Sequence, residues 1–107
     1  MMKRLGLLGL ASAVVLSWPI AAIAADKGKV IYAAGNCFVI QSDAGAVLFE
    51  RSGGKSPGVD AMVSGAMSDF GYQQLHDAAG KELMVGFVQE FGVKKEKNIA
   101  AFKKSCR

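Results

Sequence analysis

The hydrophobic pattern along the chain marks five strand-like segments. Two compact runs of β-branched and aromatic residues, NCFVIQS and GAVLFER, flank SDAG, in which Asp43 and Gly45 suit a hairpin turn. Three later runs, DAMVSGAMSDF, GYQQLHD and ELMVGFVQEFG, also favour strands. The pattern of GYQQLHD does not determine which side of the strand faces inward, because Tyr72 and Leu75 fall on opposite sides. The composition of RSGGKSPG predicts a loop from Arg51 to Gly58.

The pattern changes its period at the carboxyl end. Ile99, Phe102 and Cys106 recur at helical spacing, which predicts an amphipathic helix over residues 94–106. Glycines at positions 65, 71 and 86, inside the strand-like runs, indicate bulges or sharp bends of the kind that wrap strands into a small barrel. The predicted fold class is therefore mainly β (α+β), a small antiparallel β-barrel or curved sheet of about five strands with a C-terminal α-helix.

One segment, GVDAMVSGAMSDFGY, resembles the strand entry of OB-like and SH3-like small barrels, in which glycine and an acid precede hydrophobic residues and a further glycine. Val59 stands between Gly58 and Asp60, whereas that entry usually has the glycine and the acid adjacent. The whole run from Gly35 to Cys106 is similar to small uncharacterised secreted bacterial proteins of that build. The resemblance implies a barrel fold and carries no functional residue over to this chain.

The first 24 residues have the pattern of a cleaved signal peptide. Two basic residues precede an apolar stretch from Leu5 to Leu16, and Ala22-Ile23-Ala24 supplies the small-x-small pattern that a signal peptidase reads. We therefore expect residues 1–24 to be removed, leaving a single small β-rich domain over residues 25–107 in the bacterial periplasm or outside the cell. The alternative is a membrane anchor, because Leu5–Ala25 is an uncharged run long enough to cross a bilayer.

The chain has two cysteines, Cys37 and Cys106. In an oxidising compartment they have only one intramolecular pairing, with each other. On the chain-entropy model this bond would close a loop of about 70 residues and stabilise the domain by about 4 kcal/mol. It would also pin the predicted helix onto the first predicted strand. The spacing excludes a catalytic redox pair, which needs C-x-x-C.

Charge is distributed unevenly along the expected mature chain. Residues 25–93 carry five bases and eight acids, whereas residues 94–107 carry six bases and one acid. Because the apolar stripe takes one side of the predicted helix, the bases lie on the other side and could face an anionic partner. These bases are Lys94, Lys95, Lys97, Lys103, Lys104 and Arg107. A solvated helix face without a partner gives the same pattern.

No motif in the sequence points to a catalytic, cofactor-binding or metal site. The run SGGKS lacks the glycine that a phosphate loop needs at position 49, where Phe49 stands. Ser52 and Lys55 fit S-x-x-K, whose chemistry needs a rigid helix and partner motifs, and His76 is the only histidine. We therefore expect no cofactor and no metal. A small periplasmic hydrolase or enzyme accessory subunit that uses Ser52, Lys55 or His76 stays an alternative.

The aromatic residues argue against nucleic-acid binding, which needs a basic stripe interleaved with aromatic side chains. Residues 25–93 are net acidic, and their aromatic residues are spaced as core residues. These are Phe38, Phe49, Tyr72, Phe87 and Phe91. We expect no nucleic-acid partner.

A polar and aromatic cluster in GYQQLHD is the predicted binding surface, formed by Tyr72, Gln73, Gln74 and His76. A strand face of this composition could bind sugars or peptides, although an ordinary solvent-facing strand gives the same pattern. The expected function is that of a non-catalytic, monomeric binding protein of the bacterial envelope, whose partner is an envelope protein, a polysaccharide or an anionic surface. A further alternative is a membrane-surface protein that attaches through the basic helix.

Overall fold

The computed structural model describes residues 26–106, which form six strands and one helix. The strands are β1 (Asp26–Ala34), β2 (Cys37–Ser42), β3 (Gly45–Gly54), β4 (Met62–Gly65), β5 (Gly71–Asp77) and β6 (Glu82–Val93), and the helix is α1 (Glu96–Ser105). Residues 1–25 and Arg107 lie outside the described residues. Residues 1–25 contain both the predicted signal peptide and the alternative membrane anchor. Within residues 26–106, no helix is long and apolar enough to span a membrane.

All six strands pair antiparallel and close into a barrel. The order around the barrel is β1, β2, β3, β6, β5 and β4, and β4 pairs with β1 to complete the circle. The predicted fold class is confirmed: the chain is mainly β, a small antiparallel barrel with a C-terminal helix. The barrel has six strands, one more than the five predicted segments, and it is closed.

The additional strand is β1, DKGKVIYAA, whose alternation is obscured by two exposed lysines. Gly28 and Val30 of β1 are buried. A Cβ atom at Gly28 would lie 2.6 Å from the Ile40 Cγ2 atom and 2.9 Å from the Gln41 carbonyl oxygen, so glycine lets β2 approach closely. Because β1 pairs with both β2 and β4, it is the strand that closes the barrel.

Two predicted boundaries are wrong. β3 continues to Gly54, where it still pairs with Met84 of β6, so the loop predicted from Arg51 begins only at Lys55. The strand predicted over DAMVSGAMSDF ends at Gly65 and gives way to a turn. In that turn the Met67 N–H donates to the Gly65 carbonyl oxygen at 2.9 Å. The turn folds the buried Met67 side chain back into the barrel interior.

The barrel interior holds one hydrophobic cluster to which all six strands contribute. Its members are at most 2% exposed: Val30, Phe38, Ile40, Val47, Phe49, Val63, Met67, Leu75, Met84 and Val88. Burial of this apolar surface is the main favourable term in folding the barrel.

A second hydrophobic cluster lies outside the barrel, between α1 and the outer surface of β2 and β3. Val39 and Leu48 of these strands pack with Ile99 and Phe102 of α1. The apolar runs CFVI and AVLF are continuous for this reason, because alternate residues fill the interior and the others lie under the helix. The predicted helix over residues 94–106 is present, with bounds one or two residues shorter at each end.

A disulfide joins the helix to the barrel, in the pairing that the sequence predicts. Cys37 begins β2 and Cys106 follows α1, and their Cα atoms are 6.0 Å apart. The Cys106 N–H donates to the Phe102 carbonyl oxygen at 2.8 Å, so the cysteine continues directly from the last helical turn. The bond therefore fixes the end of α1 on β2.

Candidate binding surface

Aromatic side chains are exposed on β5 and β6 and at the residue just before β5. Phe70, Tyr72 and Phe87 are 66%, 54% and 50% exposed. Phe91 is half-buried and packs partly against the interior cluster. We call Phe70, Tyr72, Phe87 and Phe91 the aromatic strip.

The strand register places two of these rings on the outer face. Tyr72 and Phe87 are direct cross-strand partners, and Val88, the next residue of β6, points into the interior. The prediction that all the aromatic residues are spaced as core residues is therefore wrong for this pair. Phe38 and Phe49 fill the interior, and neither is exposed.

The rings of the aromatic strip form two contacting pairs. The Tyr72 and Phe87 ring centroids are 4.8 Å apart in an edge-to-face arrangement with an interplanar angle of 83°. The Phe70 and Phe91 centroids are 4.7 Å apart with their planes inclined by 49°. The edge-to-face geometry is one that aromatic pairs prefer, and in both pairs each ring packs against its neighbour.

Hydrogen-bonding groups lie beside the rings. The Ser52 hydroxyl of β3 forms a hydrogen bond with the Tyr72 hydroxyl and also contacts the Val85 carbonyl oxygen at 3.3 Å. On the other side of Phe87, the Gln89 side-chain amide donates to the Glu50 carboxylate at 2.6 Å. The surface therefore combines large apolar rings with hydroxyl, amide and carboxylate groups.

The four residues of the predicted cluster lie along β5 but do not form one surface. Tyr72 belongs to the aromatic strip, whereas Gln73 and His76 are half-buried. The Gln74 side-chain amide donates to the carbonyl oxygens of Leu75 and Met84, so backbone groups already occupy it. The predicted cluster did not include Phe70, Phe87 and Phe91. The offset between Tyr72 and the buried Leu75 placed Tyr72 on the outer face of β5, but the sequence held no comparable signal for the other three rings.

The residues of the hydrolase alternative are not assembled into a catalytic arrangement. Among the described residues, no hydrogen bond joins Ser52, Lys55 or His76 to one another. Ser52 contacts Tyr72, and the backbone N–H of Lys55 donates to the Leu83 carbonyl oxygen at 2.7 Å. Within residues 26–106, no group of three or more His, Cys, Asp or Glu residues could hold a metal ion.

The basic residues of the carboxyl end are exposed wherever the structure describes them. Lys94, Lys95, Lys97, Lys103 and Lys104 are all exposed, and Arg107 lies outside the described residues. The Lys103 ammonium group lies over the Tyr32 ring, 4.8 Å from its centroid. The other lysines extend from the outer side of α1 and from the segment before it.

A groove of about 300 Å³ runs between α1 and β6. The helix contributes neutral side chains to it, and β6 contributes Gln89 and Glu90. The helical residues are Asn98, Ala101, Phe102 and Ser105. Gln89 of the groove also donates to Glu50, which is the cross-strand partner of Phe87.

Comparisons of the chain with protein-family models, curated proteins and solved structures find no match.

Proposed function

We propose that the chain is an exported, non-catalytic binding protein of the bacterial envelope and that the aromatic strip contacts its ligand. The observation that carries this proposal is the exposure of Phe70, Tyr72 and Phe87, which lie on or directly before the paired strands β5 and β6. Exposed apolar patches on small proteins mark interaction sites, because large rings left in water gain free energy when a partner covers them.

The arrangement of the rings also favours binding on entropic grounds. Tyr72 packs edge-to-face on Phe87 and shares a hydrogen bond with Ser52. These contacts hold the side chains before a ligand arrives, so the ligand does not have to order them. Aromatic side chains with few rotatable bonds are frequent anchors of binding surfaces for this reason.

Two features support the export part of the proposal. The Cys37–Cys106 disulfide suits an oxidising compartment such as the periplasm or the outside medium. Residues 1–24 have the signal-peptide pattern, and β1 begins two residues after that segment.

The test compares the mature protein with the Tyr72→Ser/Phe87→Ser double variant. Each protein is immobilised and incubated with the separated protein, polysaccharide and lipid fractions of a bacterial envelope extract, and the retained molecules are identified. We expect the native protein to retain a component of one fraction and the double variant to lose it. Melting curves should show both proteins folded, because surface substitutions cost little stability.

A matched control is the Ile31→Ser/Met62→Ser double variant. Both side chains are exposed large hydrophobics, at 42% and 47%, and they lie on β1 and β4 rather than on β5 and β6. This control should retain the same component as the native protein. Equal retention by the native protein and by the Tyr72→Ser/Phe87→Ser variant would contradict the proposal.

A second candidate function, attachment to an anionic surface, is favoured by the exposed lysines of the carboxyl end. The test is binding to vesicles that contain an anionic lipid, measured by co-sedimentation at low and at high salt. The Lys97→Glu/Lys104→Glu variant should abolish binding, and salt should weaken it for the native protein. Lys103 is left unchanged because it also contacts the Tyr32 ring.

The hydrolase or accessory-subunit alternative has less geometric support among the described residues. The Lys55→Ala and His76→Ala variants distinguish a hydrolase from a binding protein, because catalytic groups need fixed geometry. These substitutions would abolish the effect of a hydrolase, whereas they should leave retention by the aromatic strip unchanged.

A further inference from the structure

Three acidic residues lie next to rings of the aromatic strip, two along the chain and one across the sheet. Asp69 and Glu90 directly precede Phe70 and Phe91, the two rings of one contacting pair, and both acids are exposed. Glu50 of β3 is the cross-strand neighbour of a third ring, that of the β6 phenylalanine opposite Tyr72. Each contacting pair of rings therefore has at least one acidic residue as a direct chain or cross-strand neighbour.

Positive charge is scarce on the same face. Gly71–Asp77 and Glu82–Val93, the two strands that carry the strip, contain no lysine or arginine. The neighbouring strand β3 contributes Arg51, whose guanidinium donates to the Gly54 carbonyl oxygen at 2.5 Å and to the Asn36 side-chain oxygen at 2.9 Å. These bonds hold the Arg51 charge at the turn between β1 and β2, so they do not neutralise the acids beside the rings.

From this combination we infer that the aromatic strip binds a segment of another protein that carries arginine or lysine side chains. The inference rests on the proposed binding function and names the class of its partner. A cation over an aromatic face is attracted by the ring quadrupole, and a nearby carboxylate adds a charge-assisted hydrogen bond. The described face supplies both kinds of group within a few residues of each other.

A polypeptide fits this surface because its long basic side chains have two parts. Their methylene stems cover apolar rings, while their charged ends reach toward acids at the edge. The groove between α1 and β6 includes Gln89, two residues after Phe87 in β6, and Asn98, Ser105 and Gln89 line it with polar groups that could bond a peptide backbone. An anionic polysaccharide or nucleic acid would instead meet repulsion from the acids beside the strip.

The test uses a short capped peptide of alternating arginine and leucine, and the same peptide with citrulline in place of arginine. Citrulline keeps the length and the planar end group of arginine, but a carbonyl oxygen replaces one terminal nitrogen and the side chain carries no charge. Binding to the mature, disulfide-bonded protein is measured by amide NMR titration. We expect the arginine peptide to bind roughly tenfold more tightly than the citrulline peptide, with shifts at residues 69–72 and 87–91.

Two double variants test the assignment to this surface. Asp69→Asn/Glu90→Gln should weaken the binding of the arginine peptide about fivefold and leave the binding of the citrulline peptide unchanged. The charge-matched control Asp26→Asn/Asp43→Asn removes two acids that line a different part of the barrel, and it should bind the arginine peptide like the native protein. Phe70→Ser/Phe87→Ser should abolish binding of both peptides.

The outcomes separate this inference from the proposed function. Equal binding of both peptides, or no shift at the strip, would overturn the cationic partner even if envelope retention still depends on Tyr72 and Phe87. Retention of a polysaccharide or a lipid through the strip, or association of the protein with itself there, would also overturn it. Loss of strip dependence in both experiments would overturn the proposed function as well.

Discussion

Gly86 lies buried in β6, directly against the backbone of β3. A Cβ atom at this position would collide with the Glu50 carbonyl oxygen and would lie 2.8 Å from the Arg51 Cα atom. Backbone atoms of a paired strand cannot rotate aside as a flexible side chain can. At the scale of single residues, the close approach of β3 and β6 therefore depends on a missing side chain.

We predict that Gly86→Ala lowers the free energy of unfolding by about 2 kcal/mol, because the β3 backbone must shift to admit the methyl group. Urea denaturation of the native and variant proteins measures this change. Gly58→Ala is the control, since a Cβ atom there meets nothing within 4 Å. The control should change stability by less than about 0.5 kcal/mol. Equal changes in the free energy of unfolding at the two positions would contradict the prediction that the β3 backbone excludes a methyl group at position 86.

At the scale of elements, α1 depends on contacts outside itself. It has ten residues, and isolated helices of this length are marginal in water. Its N-cap, Lys95, makes no side-chain capping hydrogen bond, and only Ile99 and Phe102 of the helix are buried. Packing of these two side chains and the disulfide at the opposite end therefore hold the helix on the barrel.

The missing cap gives a prediction about Lys95. Its backbone has the extended conformation of an N-cap, with φ −90° and ψ 125°, so an aspartate there could accept a hydrogen bond from the first turn. Lys95→Asp should raise the free energy of unfolding by about 1 kcal/mol, helped by the positive end of the helix dipole. Lys104→Asp, the same substitution in the last turn, should give no gain. Chemical denaturation compares the two variants, and equal stabilisation would contradict the capping argument.

Loss of the disulfide should destabilise α1 more than the strands of the barrel. Replacing Cys37 and Cys106 by alanine should lower the free energy of unfolding by about 4 kcal/mol on the chain-entropy model. In protein that remains folded, the amides of α1 should exchange with solvent faster than those of the interior strands. Hydrogen exchange of the native protein and of the double alanine variant measures the difference in exchange rate. Thiol alkylation of the native protein is the control that shows whether the disulfide is formed. Thiols that alkylate under native, non-reducing conditions would show that the pairing is absent.

At the scale of the whole molecule, closure of the barrel depends on the strand that begins the described chain. Asp26 of β1 already pairs with Gly65 of β4, and the pairing continues to Lys29 and Met62. The same strand pairs with β2 along its length. Cleavage of the chain within β1 would therefore open the barrel between β2 and β4.

This geometry sharpens the expectation for processing. The small-x-small pattern predicts a mature protein that begins at Ala25 or Asp26, which leaves β1 intact. Intact-mass analysis of the exported protein should give this N-terminus. Because Trp18 is the only tryptophan, the mature protein should also lack tryptophan fluorescence. A mature species that retains Trp18, or one that starts inside β1, would contradict the prediction.

The sequence by itself determined the features that depend on local pattern. The five predicted strand segments, the change to helical spacing before Cys106, and the pairing of the only two cysteines all follow from neighbours along the chain or from elimination. The continuous apolar runs of β2 and β3 are typical of strands buried on both faces, and α1 covers their outer face.

Only the tertiary structure decided which side of each strand faces water and how the sheet closes. β1 reads as polar in the sequence, yet pairing with β2 and β4 makes it part of the barrel. Phe49 and Phe87 are the same residue type on paired strands, but one is fully buried and the other is half exposed. The difference arises because Phe49 faces the barrel interior, whereas Phe87 faces outward beside Tyr72 and belongs to neither hydrophobic cluster. Burial is set by what packs on a strand face, and residues distant in sequence supply that packing.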